Sequence, residues 1–162
     1  MKPNPKTAWD ACPVVLLYQE TIELHLKALI DEGSTFLKKT IDPITLYKTH
    51  SVRWLAQIAC QIIKTIRWER EFKCEGVANL DDFSALVAEI DALNPVAIAA
   101  HASSRSPEGS VPHQLQPHNV VLLAKKLDAL VDLLASTADG LAAEWDRRAE
   151  AKDQIKFKPT IH

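Results

Sequence analysis

Only four glycines, Gly33, Gly76, Gly109 and Gly140, occur in 162 residues, and the closest two lie 31 positions apart. A P-loop or a dinucleotide fingerprint needs two or three glycines within a few residues, so that backbone amides can cradle phosphate. Neither can exist here. Sandwiches and barrels need tight turns at short intervals, many of them built on glycine, and this chain lacks that turn chemistry. What remains is an all-α chain. With 47% hydrophobic residues it can bury one core, so a single domain over 1–162 is expected, with its core in about 11–150 and a loosely ordered tail at 151–162.

Periodicity places the helices. Pro13 can open a first turn, and over 14–31 the residues Val15, Tyr18, Ile22, Leu26 and Leu29 fall within about 40° of one direction at 100° per residue. Glu20, Glu23 and Lys27 lie opposite, and Gly33 closes the segment. Residues 34–49 connect, around Pro43, with a turn of helix. In 51–68, Leu55, Ile58, Ile62 and Ile66 form a second stripe, while Arg53, Gln57, Cys60, Lys64 and Arg67 share the other face with Trp68 at its edge. A third helix spans 81–93, carrying Phe83, Leu86, Val87 and Ile90 and stopped by Asn94-Pro95. A proline-rich loop, 102–118, precedes a last helix, 119–149, whose Val120, Leu123, Leu127, Leu130 and Leu134 alternate spacings of three and four. The pattern predicts an up-and-down bundle of four to five helices.

Global charge excludes a dedicated polyanion binder: 19 Lys plus Arg stand against 21 Asp plus Glu, a net of −2. Locally the charges segregate. Residues 38–73 are mostly basic, whereas 74–104 hold Glu75, Asp81, Asp82, Glu89 and Asp91 and no Lys or Arg. Three cysteines, Cys12, Cys60 and Cys74, match neither a disulfide framework nor a zinc ribbon. A reduced, cytoplasmic protein is expected, with no membrane span and no signal peptide.

Three constellations carry candidate chemistry. Arg53, Lys64, Arg67 and Trp68 could meet phosphate and stack on a base, against the plainer reading of a solvated face. Arg105 and His113 could cleave RNA without metal, the imidazole deprotonating a ribose hydroxyl and the guanidinium stabilising phosphoryl charge. His101, His113 and His118 could supply three metal ligands, but no helix fixes their geometry, and no metal or cofactor is expected. His25 reads as a histidine at the core boundary and His50 as part of a helix-capping region. Gly140 inside the last helix has no evident role beyond a bend or a close approach.

The order of these segments resembles the HEPN family (higher eukaryote and prokaryote nucleotide-binding). Glu23 followed by Leu26-Lys27-Ala28-Leu29 resembles its opening helix. Thr49-His50-Ser51-Val52, leading into Leu55, is similar to the Thr-His-Asp-Leu that opens its second long helix. Ser104-Arg105-Ser106-Pro107 looks like the Arg-Tyr-Pro segment before its last helix. The resemblance implies an all-helical bundle, usually a homodimer, linked in bacteria to toxin–antitoxin or defence systems with a nucleotidyltransferase or antitoxin partner. It also points to Glu23, Lys27 and His50 as pattern positions. Many members are metal-independent ribonucleases carrying Arg, four to six residues, then His. Here Arg147 and Arg148 are followed by no suitably spaced His, Arg105 to His113 is one residue too long and precedes the helix, and Ser51 replaces the usual acid after His50. The expectation is a noncatalytic HEPN-type binding or interaction module for nucleotide or single-stranded RNA, engaged by Arg53, Lys64, Arg67, Trp68 and Arg105. The alternatives are a metal-independent endoribonuclease using Arg105 and His113, and a structural partner subunit.

Overall fold

The computed structural model describes residues 12–37, 41–92 and 117–156. Arg105, His101 and His113 lie outside them, as does the side chain of His118. The described residues form helices α1 (Cys12–Gly33), α2 (Pro43–Lys48), α3 (Val52–Ile66), α4 (Leu80–Ala92) and α5 (Pro117–Lys156), with a 3-10 turn at Ser34–Phe36. The helical bundle read from periodicity is what the chain forms, and no strand occurs among the described residues. Helix boundaries moved most at the last element. The helix α5 starts at Pro117 and continues through Lys156, so the tail expected at 151 begins with helix.

Local chemistry accounts for the starts. Asp42 caps α2, its carboxylate accepting from the Thr45 amide at 2.9 Å and the Thr45 hydroxyl at 2.7 Å, with Pro43 pre-set for the first turn. These bonds hold the Asp42 carboxyl below its ordinary value. Ser51 caps α3 through the Trp54 amide. For α4, the Asn79 side chain accepts from the amides of Asp81 and Asp82 at 2.9 Å each, and Asp82 reaches back to the Ala78 amide, a reciprocal arrangement of the capping-box kind.

Contacts give the directions. Glu23 meets His50 and Gly33 meets Ile62, so α1 and α3 run in the same sense. The chain descends between them through the 3-10 turn and α2. Arg53 meets Asp91 while Cys60 meets Ser84, so α4 runs against α3. Tyr18 meets Asp128 and Phe36 meets Trp145, which sets α5 parallel to α1. Ile22, Leu26, Leu29 and Ile30 of α1, Leu55, Ile62 and Ile63 of α3, and Leu130, Leu134 and Leu141 of α5 are all fully buried. Phe72, in the α3–α4 connection, joins this core edge to face with Phe83 at 5.2 Å. In the same connection Gly76 adopts φ of 83°, turning the chain so that Cys74 and Val77 exchange backbone hydrogen bonds.

Gly33 does close the first helix, but its reason is packing. It is buried, and a Cβ there would lie 2.6 Å from Ile62 Cγ2. At the far end, Arg147 grips Glu144 with two bonds of 2.8 Å and Arg148 adds one of 2.7 Å. Arg148 also covers the Phe36 ring at 4.9 Å, and Phe36 packs edge to face on Trp145. This cluster ties the 3-10 turn to α5.

Two outcomes are expected. Gly33→Ala should destabilise the fold by about 1–3 kcal/mol despite the better helix propensity of alanine, and Ile62→Val in that background should recover part of the loss in a chemical-denaturation cycle. The arginine grip lowers the Glu144 carboxyl from 4.5 to about 2. Its folded value lies below its unfolded value, so its contribution is full above about pH 4.5 and is lost as pH falls toward 2. Glu144→Gln should therefore lower the melting temperature at neutral pH, and the deficit should vanish near pH 2.

Candidate functional site

Segregated charge along the sequence becomes paired charge in the fold, because acidic α4 lies antiparallel on the polar face of basic α3. Arg53 Nε is 2.8 Å from Asp91 Oδ2, and its Nη2 donates to the Ala88 carbonyl at 3.4 Å. A cation at the C-terminal turn of α4 is also favourable to the helix dipole. Arg53 therefore closes one end of the face, though its side chain remains 55% exposed. Two turns on, the helices part slightly and leave a groove of about 320 Å³ lined by Gln57, Cys60, Gln61 and Lys64 of α3 and by Leu80, Asp81 and Ser84 of α4.

That groove mixes apolar and polar lining and is nearly balanced in charge. It offers the ammonium of Lys64, the carboxylate of Asp81 and two amides able both to donate and to accept. Ser84 donates to the Leu80 carbonyl at 2.8 Å, and Cys60 Sγ sits 3.9 Å from the Ser84 hydroxyl. Burial pushes the Cys60 thiol up, so it is held as a neutral thiol and not as a nucleophilic thiolate. Chemically the groove can hydrogen-bond a small polar ligand and neutralise one negative charge.

Two of the predicted ligand residues sit differently from the helical projection. Helix α3 stops at Ile66, and Arg67 takes a left-handed conformation with φ of 65° as its C-cap, leaving an exposed side chain off the α3 face. Trp68 is half-buried and packed on the core. Its ring edge rests on Gly140, where a Cβ would lie 3.1 and 3.2 Å from Cη2 and Cζ3. With Glu71, Phe72, Leu133, Ser136 and Thr137 it lines a second cavity of about 190 Å³. Gly140 is thus the seat of an indole, which is the role the sequence left open. Trp68 is committed to that contact and not free to stack on a base beside Lys64.

Glu23, Lys27 and His50, set by the resemblance, do converge. Glu23 Oε1 accepts from Lys27 Nζ at 2.7 Å and lies 3.0 Å from His50 Nδ1, while Lys27 Nζ also donates to the Tyr47 carbonyl at 3.1 Å. Lys27 is 6% exposed. Removing one member of so enclosed an ion pair leaves an uncompensated charge. A carboxylate holding an imidazole is the orienting half of a general base, but here the same oxygen also serves the ammonium. The cluster reads as a clamp fixing the corner between α2 and α3 onto α1. His50 is consequently a clamp residue, and Ser51 does the capping. His25 is partly buried with Nδ1 2.8 Å from the Thr21 carbonyl, in keeping with a boundary position.

Asp81 and Ser84 completed the groove without being singled out in the sequence. The acidic band beside a basic one was the available signal, since helices of opposite charge that follow one another along the chain gain by pairing. Among the described residues no group of three or more His, Cys, Asp or Glu could hold a metal, and no helix is long and apolar enough to cross a membrane. No family model, no curated protein and no solved structure matches the chain.

The Trp68–Gly140 contact gives a sign reversal to measure. Gly140→Ala should be neutral or destabilising in the native background, because the ring must shift by a few tenths of an ångström. In a Trp68→Ala background the same change should stabilise by about 1 kcal/mol, the helix propensity alone. Denaturation midpoints of the four chains decide this, and identical effects in both backgrounds would remove the indole from the explanation.

Proposed function

We propose that the chain is a noncatalytic binding module of the HEPN type, working as a homodimer in a prokaryotic toxin–antitoxin or defence-type system, and that its ligand is a nucleotide or the end of a single-stranded RNA. The observation that carries this reading is the groove between α3 and α4, where Lys64 and Asp81 flank Gln57, Gln61 and Ser84. An ammonium suits a phosphate, a carboxylate suits ribose hydroxyls, and amides suit base edges. The groove lies at the small end of the range for ligand pockets, about 300–1,000 Å³, which fits one nucleotide and not a strand. Glycine scarcity agrees, since phosphate here has to be held by side chains. Lys64 is the central residue, with Arg53 one turn before Gln57 and paired with Asp91, and Arg67 beyond the helix end.

The test is titration of the full chain with adenosine 5′-monophosphate and with a short oligoadenylate, followed by calorimetry. Binding should weaken with salt, and Lys64→Ala should cost roughly tenfold in affinity. Asp81→Asn should weaken the ribonucleotide more than its 2′-deoxy counterpart. Equal affinity of Lys64→Ala and the native chain defeats the reading. Incubation with RNA in chelator should leave the RNA intact. Cleavage that His113→Ala abolishes would establish the ribonuclease alternative instead.

A further inference from the structure

Helix α1 is apolar on two faces. One is the core stripe. The other, on the outer side, consists of Val14, Leu17, Thr21, Leu24 and Ala28, at spacings of three and four residues, the a and d pattern of a helix–helix seam. Val14, Leu17 and Leu24 are 42%, 64% and 65% exposed, and Ala28 is exposed as well. The Thr21 hydroxyl is already bonded to the Leu17 carbonyl at 2.7 Å, so it asks nothing polar of a partner. Val121 of α5, 60% exposed, is seven residues before Asp128, the residue that Tyr18 of α1 binds at 2.6 Å. It therefore extends the stripe on the face of α5 turned toward α1. None of the described residues buries this stripe.

The rim states what covers it. On α1 the stripe is bordered by Glu20, Asp31 and Glu32, all exposed, and on α5 by Asp128 and Asp132, with Lys125 the one cation beside them among the described residues. Lys27, the single lysine of α1, is turned away into the Glu23 clamp. A second copy laid on this stripe would bring acidic rim against acidic rim, which is unfavourable. Nucleic acid and anionic membrane are disfavoured by the same charges.

We infer that the outer face of α1 is the docking surface for a basic amphipathic helix of a partner protein, its leucine-type residues set into the Leu17–Leu24 stripe and its lysines or arginines against Glu20, Asp31, Glu32, Asp128 and Asp132. This surface is separate from the groove between α3 and α4, and it does not depend on what that groove holds.

Two synthetic three-heptad helical peptides test it, both with leucine at a and d, one with lysine and one with glutamate at the flanking positions, titrated against the full chain by fluorescence anisotropy. The lysine peptide should bind, more weakly as salt rises, and the glutamate peptide should not. Leu17→Glu with Leu24→Glu should lower affinity by at least about tenfold, without changing the melting temperature or the response to adenosine monophosphate. As a second arm, Glu20→Lys with Asp31→Lys and Glu32→Lys should reverse the preference between peptides. Equal binding of both peptides, or of the native and double-glutamate chains, overturns the proposal. So does sedimentation showing a dimer that Leu17→Glu with Leu24→Glu dissociates, which would make a second copy the occupant.

Discussion

The close approach of α1 and α3 at Gly33 is the constraint on which the bundle depends. With no side chain at that position, Ile62 reaches the α1 backbone, and the fully buried Ile22, Leu26, Leu29 and Ile30 can meet Leu55, Ile62 and Ile63 across the same interface. Dispersion and burial both reward such an approach, since each buried aliphatic side chain contributes about 1.5–3 kcal/mol relative to leaving it exposed. At the other end of that interface, ionic chemistry does the positioning. Lys27 bridges Glu23 and the Tyr47 carbonyl, so α2 is pinned to α1 before α3 begins. A helix of six residues has little stability of its own; its cap at Asp42 and this anchor hold it.

Charge segregation along the chain serves a related purpose. Had the basic residues of α3 remained solvated, the face from Arg53 to Lys64 would carry a field suited to polyanions. Folding α4 against it spends Arg53 on Asp91 and sets Asp81 in the same groove as Lys64. The local field is therefore close to neutral, and recognition there has to rest on hydrogen-bond geometry more than on long-range attraction. This is a physical reason for favouring a single small ligand over a bound strand.

Helix existence and core membership were legible where a helix carries a strong stripe at period 3.6, as α1, α3 and α5 do: Ile22, Leu26 and Leu29, then Leu55, Ile58 and Ile62, then Leu127, Leu130 and Leu134 are buried as the pattern requires. What periodicity could not supply is where a helix stops when no glycine or proline marks the end. At Arg67 a non-glycine residue adopts the left-handed cap, which moved Arg67 off its projected face and sent Trp68 onto Gly140. Nor could it register pairings between distant segments, such as Tyr18 with Asp128 or Phe36 with Trp145. The second stripe of α1 was present in the sequence throughout, as Leu17 and Leu24 seven residues apart. It is obscured because one apolar face is enough to explain a helix, and a second is noticed only once the first is known to be filled.

The two stripes of α1 bear on how the surfaces relate. The core stripe meets α3 and α5, and the clamp at Glu23 and Lys27 lies between it and the outer stripe on the side of α2. A helix docked outside α1 would therefore press on an element whose inner face is held by Gly33 and whose flank is held by the ion pair. Rigid packing transmits small displacements poorly unless an element has two arrangements available. Nothing in the packing of α1 offers a second arrangement: its core residues are fully buried and Lys27 has its partners in place. The physical expectation is that the outer face of α1 and the groove between α3 and α4 act as independent sites. A ligand in the proposed groove would then not alter affinity at the proposed docking face.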